Sequence, residues 1–467
     1  ELEEAVAALN ADKENDNEVT VTIAEGTYEV TGNEKLTIRR KNVTLKGAGQ
    51  GKTIIDCGEY SNSGQGGIII DADNVTIEDL TVTSTSTSGN VAAIKATALE
   101  TIEGEMRLVK NTVIRNVTVS SENGHGVNLH GTENAVIDGL TVEKAGKAGI
   151  SLANTVNVTI ENTKALSENC SWGSVAMMFA EGEAYKNPVS VVYGEGNDID
   201  YIYADERNAE GYEGVNSIHF EAEYSGAIAG DIREVSVSEG VDVPETFKYA
   251  ASVNGAYFTT INGAIEAAND GDTVKCAPGT YDENIVFGDK SITLEGAQAG
   301  VKPDGENRTD DSQETILTGT VSTANGGTTA DAFNADQKIV VDGFKFEGDG
   351  LKVGDCSYST AGSLTVKNCI MTFVDNGEDT IEGYGNNTYN YFVKISSVSP
   401  EASVTVEDNY VTGNPPAIND TAYVYPIQLW GVKEVSVKNN NIILGEESAD
   451  NLIDAVNISV MNENAQI

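Results

Sequence analysis

Three short runs, Ile114-Arg115-Asn116, Ile137-Asp138-Gly139 and Ile160-Glu161-Asn162, stand 23 residues apart. Each has the same order: an aliphatic residue after alternating apolar positions, then a charged residue, then Asn or Gly. A period of two sends the aliphatic side chain inward and the charged one outward, and the third residue type enters the left-handed backbone region at low cost. Each run is therefore a strand followed by a sharp turn. Val127 and Ile150 keep the same 23-residue step, so one repeat holds at least two strands.

Further copies extend the pattern in both directions: Leu45-Lys46-Gly47 and Ile77-Glu78-Asp79 before it, then Leu294-Glu295-Gly296, Val341-Asp342-Gly343, Val366-Lys367-Asn368, Val406-Glu407-Asp408 and Val437-Lys438-Asn439. Short strands, Gly/Asn turns and no intervening helices predict a parallel β-solenoid whose coils stack on one another. An α/β fold would need crossover helices. The steps of 37 residues from Ile77 to Ile114, 40 from Val366 to Val406 and 47 from Leu294 to Val341 predict insertions or extra coils there.

The two halves of the chain also resemble each other. Leu2, Ala5, Val6 and Leu9 fall on one helical face, followed by Gly26-Thr27-Tyr28 and Val43-Thr44-Leu45; Phe258, Ile261, Ile265 and Ala268 repeat the helix, followed by Gly279-Thr280-Tyr281 and Ile292-Thr293-Leu294. This self-similarity predicts two tandem domains, 1–240 and 251–467, each opened by a short capping helix and joined by a linker at 241–250.

Composition narrows the partners. Among 467 residues, 29 Lys and Arg stand against 73 Asp and Glu, a formal net charge of −44. A field of that sign repels nucleic acid and anionic membrane surfaces. With 39% hydrophobic residues the chain still has ample core material, and 48 Gly against 8 Pro fits a protein of sheets and turns. No apolar run reaches the roughly 18 residues of a membrane span. The five Cys are widely spaced without a Cys-x-x-Cys pair, which predicts buried thiols. The chain begins at Glu1 and is expected to be a mature fragment of a secreted protein.

The helix, the Gly-Thr-Tyr, the Thr-Leu-x-Gly-Ala step at Thr44 to Ala48 and at Thr293 to Ala297, and the repeated Val/Ile-x-Asn turns resemble the right-handed parallel β-helix superfamily of pectin and pectate lyases. The resemblance implies an all-β, single-stranded right-handed parallel β-helix. Residues 258–297 are also similar to the opening of pectin methylesterases and of bacterial surface repeat proteins. The later methylesterase signatures, and the Trp-Ile-Asp-His run of pectate lyases, have no match. Of the polygalacturonase motifs only Gly-His-Gly is present, at Gly124-His125-Gly126.

The candidate residues follow from these runs. His125 is the candidate catalytic group, with Asp138 and Glu161 as carboxylates on later coils; inverting hydrolysis needs two carboxylates flanking the bond. Val127 and Leu129 point inward, so Asn128 and His130 point outward with His125 at a corner. Asp138 and Glu161, or Asp304 and Asp310 in the oxygen-rich stretch 304–311, are candidate calcium ligands. In an uninterrupted stack Arg115, Asp138 and Glu161 are neighbours, and Asp342, Lys367, Glu407 and Lys438 alternate in sign, which suits a charge ladder better than a ligand site. Exposed rings at Tyr384, Tyr389, Tyr391 and Trp430, with Gln428, form a candidate glycan platform; Tyr193, Tyr201, Tyr203 and Tyr212 form another.

The function expected from sequence is a non-catalytic, monomeric, extracellular or cell-surface bacterial protein that binds a polysaccharide or host-surface glycan in the manner of an adhesin. The alternatives are a secreted polysaccharide lyase or glycoside hydrolase with its site in an insertion, and a passive spacer.

Overall fold

The computed structural model describes residues 2–30, 36–60, 66–87, 91–99, 101–102, 105–178, 189–205, 217–322, 336–347, 362–373, 383–384, 387–396, 403–413, 421–444, 451–453 and 455–459. The chain divides into two compact units, Glu1–Lys248 and Tyr249–Ile467. Both are parallel β-helices.

In unit 1 most coils contribute a strand to each of three faces, one more than the two strands visible in the sequence. On the first face the register runs Val21, Leu45, Ile77, Ile114, Ile137, Ile160, Tyr193, Phe220 and Val237, each residue pairing with the next in parallel. The second face takes Ile55, Val82, Val119 and Val142. The third stacks Leu36, Ile68, Ile94, Val127, Ile150, Val175 and Ile202. Apart from the terminal residues Val21 and Val237, these side chains are buried. Each contributes roughly 1.5–3 kcal/mol of apolar transfer. Unit 2 repeats the plan, with Val274, Leu294, Val341, Val366, Val406 and Val437 on its first face. Ile77 pairs directly with Ile114, Leu294 with Val341 and Val366 with Val406, so each long step is one coil widened by an insertion.

The turns are held by backbone geometry. Asp79, Asn116, Gly139, Asn162, Gly343, Asn368, Asp408 and Asn439 have φ between 49° and 78°, as expected. Gly47 and Gly296 do not share it. They are glycines because the next coil comes too close: a Cβ would lie 2.2 Å from the Asp79 carbonyl oxygen at Gly47 and 2.5 Å from that of Gly343 at Gly296. A second left-handed column, absent from the sequence reading, precedes the first-face strands. Asn42, Asn74, Asn111, Asn134 and Asn157 have φ of 56–59°. Their amides link up the stack, Asn74 donating to Asn42 at 2.8 Å, Asn111 to Asn74 at 2.7 Å and Asn157 to Asn134 at 3.3 Å.

Helix α1 (Leu2–Ala11) buries Leu2, Val6 and Leu9 on the first coil. Asn10 ties it down, donating to the Thr37 carbonyl and accepting from the Arg39 amide. Helix α2 (Ile261–Ala267) plays that part in unit 2 and is shorter than expected. Phe258 belongs instead to a hairpin, Ala251–Val253 with Ala256–Phe258, turned by Asn254 and Gly255 at φ of 50° and 82°. The helix starts after this hairpin because the Thr260 hydroxyl accepts the Gly263 amide.

Candidate functional site

The outer side of the third face carries the chemistry. A strand that simply alternates would send every second residue out, but here two successive residues turn inward. At Gly126 a Cβ would lie 3.0 Å from Val119 Cγ2, inside the coil, and Val127 beside it is buried in the core. The break in alternation puts His125 on the same outer side as Asn128 and His130, not at a corner. Lys95, Asn128 and Ser151 occupy matching positions on three consecutive coils, about 4.8 Å apart.

This row is largely buried. The His125 Nδ1, Asn128 Oδ1 and Ser151 Oγ atoms are enclosed and have no hydrogen-bond partner among the described residues. Burial, and then the charges of Lys147 and Lys95, push the His125 imidazole down to about 3, against a hydrogen bond with the Ala148 backbone. Burial and Lys95 push His130 down to about 4, and burial lowers Lys95. Both imidazoles are therefore neutral at neutral pH. The exposed Trp172 meets His125 edge-on at 5.6 Å and 79°, and Lys147 Nζ lies 4.1 Å from the centroid of that indole. Asp71, at the margin of the row, is held by Arg107 at 2.8 Å.

A neutral ring in the fold and a titrating ring in the unfolded chain make stability depend on pH. The His125 contribution is intact above about 6.5, the ordinary histidine value, and is lost progressively as pH falls toward about 3. Thermal melts across that window should show His125→Gln falling less steeply than the parent protein. Parallel curves would mean that the ring takes up its proton equally in the fold and in the unfolded chain.

The other sequence candidates lie elsewhere. Asp138 and Glu161 stand on the first face, so the structure does not gather them with His125. Asp138 belongs to a charge ladder: Lys46 reaches Glu78 at 2.7 Å, and Arg115 reaches Glu78 at 3.7 Å and Asp138 at 3.4 Å. Lys367 similarly meets Asp342 at 3.3 Å. Asp304 accepts the Glu306 and Asn307 amides of its own loop, and Asp310 accepts the Ser312 amide. Among the described residues no three His, Cys, Asp or Glu side chains come together as a metal site. Tyr193 is core, packed with Phe220 and Tyr224; Tyr201 and Tyr203 are half-buried, and Tyr212 lies outside the described residues.

Unit 2 has the same break in its third face. Phe392 and Val393 both enter the core, leaving Tyr391 and Lys394 on the outer side, in register with Tyr425 and Gln428. Tyr391 and Gln428 are buried, not exposed as the sequence suggested. Tyr391 stacks on Tyr425 at 6.0 Å, and Lys394 lies 4.9 Å from the Tyr391 centroid, so neighbours along the row hide it. Trp430 is 41% exposed, and its Nε1 donates to Asn457 Oδ1 at 2.8 Å. Tyr384 and Tyr389 lie on strands of this face, but their side chains fall outside the described residues.

Residues 42–184 match the family model described as the right handed beta helix region. No curated protein matches the chain. Among solved structures, the A-module of the Azotobacter vinelandii mannuronan C-5 epimerase AlgE6 is 14% identical, with 98% of this chain and 94% of that one covered and a TM-score of 0.35. The catalytic unit of a GH87 alpha-1,3-glucanase from Streptomyces thermodiastaticus is 15% identical over 97% of this chain and 66% of that one, TM-score 0.32. A family 28 exopolygalacturonase of Yersinia enterocolitica is 11% identical over 99% and 76%, TM-score 0.27. The three-faced coils make this chain a parallel β-helix, and its residues 42–184 match the right-handed family model.

Proposed function

We propose that this chain is an extracellular carbohydrate-binding protein without catalytic activity, which holds a glycan against the outer side of the third face. The observation that carries this reading is Trp430, an exposed indole oriented by Asn457, with the half-buried Lys394 two register positions before it on the adjacent coil. A flat ring beside hydrogen-bonding groups suits the apolar face and hydroxyls of a sugar. Trp172 in unit 1 offers a second such ring. Among the described residues no helix is long and apolar enough to cross a membrane.

The enclosed, unpartnered polar atoms around His125 favour a second reading, a polysaccharide lyase. Its weakness is basicity: an imidazole held near 3 is a poor proton acceptor, because an efficient base titrates near the working pH. The two readings separate in one experiment. The protein is passed over immobilised neutral and acidic glycans with and without calcium, and the soluble glycans are followed for unsaturated products. Retention without product is expected, and Trp430→Ala should weaken it about tenfold or more, with Trp430→Phe in between. Product formation, or retention indifferent to Trp430, would overturn the proposal.

A further inference from the structure

Among the described residues, three groups on the outer side of the third face of unit 1 meet no hydrogen-bond partner: His125 Nδ1, Asn128 Oδ1 and Ser151 Oγ. Enclosed polar atoms left unpaired are few in any folded chain, and three on one row mark a place where something else binds. His125 is 4% exposed and Ser151 0%. Asn128 and Ser151 lie opposite each other on successive coils, about 4.8 Å apart. Asn128 is half-buried, and the exposed Trp172 stands edge-on to His125, so the row is reached from that side.

All three groups are uncharged. Burial keeps the imidazole neutral, Asn128 offers an acceptor, and the Ser151 hydroxyl can donate or accept. The cations nearby are already engaged: Lys147 lies over the Trp172 indole at 4.1 Å, and both Lys95 and Lys147 have further contacts of their own. The unmet capacity therefore sits wholly in neutral groups. A sugar hydroxyl, donor and acceptor at once, satisfies each of them. A carboxylate only accepts; it would meet the Asn128 oxygen lone pair to lone pair and give up its water with no spare charge in return. The formal net charge of −44 also opposes the approach of a polyanion.

We propose that the row in unit 1 takes a neutral glycan, bound through its ring hydroxyls to His125, Asn128 and Ser151 with Trp172 against its apolar face. This rests on the glycan reading above and narrows it by excluding uronic and other anionic sugars. It also leaves a lyase without a substrate, because elimination needs a carboxyl group at C6 to acidify the proton on C5.

Titration calorimetry on the full chain carrying Trp430→Ala, which leaves the row in unit 1 intact, tests it. The probes are β-1,4-mannan, β-1,4-glucan and β-1,3-glucan oligosaccharides, each with C6 intact or oxidised to the carboxylate. At least one intact oligosaccharide should bind, and its oxidised form about tenfold or more weakly. Ser151→Ala should weaken that binding about fivefold, with thermal stability at or above the parent value because the hydroxyl it removes bonds nothing among the described residues. Oxidised forms that bind equally well or better would overturn the neutral class and leave the glycan reading standing. Affinity untouched by Ser151→Ala would mean that water alone fills the row, and would overturn the site. Absence of binding by every probe would overturn it too, and the glycan reading with it if the parent protein also binds none.

Discussion

Replacing Arg308 with Ala should lower the stability of unit 2 by about 3–5 kcal/mol, the usual cost of leaving one member of a buried ion pair alone. Arg308 and Glu314 have side chains only 2% and 0% exposed, and they meet through two parallel bonds, Nη2 to Oε2 at 2.6 Å and Nε to Oε1 at 2.9 Å. The guanidinium also donates to the Val301 carbonyl at 3.2 Å and to the Asn368 carbonyl, which anchors the 298–314 insertion to the corner of a later coil. Lys302 adds a 2.6 Å contact to Asp408, one coil further on. The stretch that holds Asp304 and Asp310 also serves as a brace laid across successive turns. Denaturant unfolding checks the effect. The double variant Arg308→Met with Glu314→Leu should recover most of the loss, because removing both charges leaves neither unpaired. If Arg308→Ala were neutral, the pair would not be buried in solution.

Ile137→Ala should cost about 2–5 kcal/mol, the sum of lost apolar transfer and the cavity left behind. Its side chain is fully enclosed between Ile114 and Ile160 on the coils on either side, and rigid coils above and below limit collapse of the gap. The adjacent residue provides the control. Asp138 faces outward in the ladder with Arg115, so Asp138→Ala should cost less than about 1 kcal/mol. Urea midpoints for the two variants measure the contrast, and equal losses would refute the assignment of inner and outer sides.

The coil, its first-face column and its charge ladder were legible because they repeat: period two separates Ile137 from Asp138, and the left-handed turn residue follows at the same place each time. The third face was only half legible. Val127 and Leu129 identified the core side, but the paired inward residues at Gly126 and Val127 break alternation, so nothing local reveals where His125 points. Tyr391 illustrates a different limit. An aromatic in an insertion looks exposed until the coil stacked beside it is known, and here that coil supplies Tyr425. Arg308 had no periodic mark at all, since one charged residue in a polar loop reads as solvated unless its distant partners are known. The asparagine column was present in the sequence, yet it precedes the strands instead of ending them, outside the three-residue rule that found the turns.

The 23-residue spacing from Ile114 to Ile137 to Ile160, with the first-face positions opposite their counterparts one repeat away, bears on how such a chain lengthens over generations. Duplicating the gene segment for one such stretch would insert a layer whose upper and lower surfaces already fit those of its neighbours, and no existing contact would need redesign. Growth by whole layers is then nearly neutral, whereas gain or loss of a fraction of one would scramble everything after it. Lineages descended from this chain should accordingly differ in height by whole steps, with irregular length changes confined to the side loops.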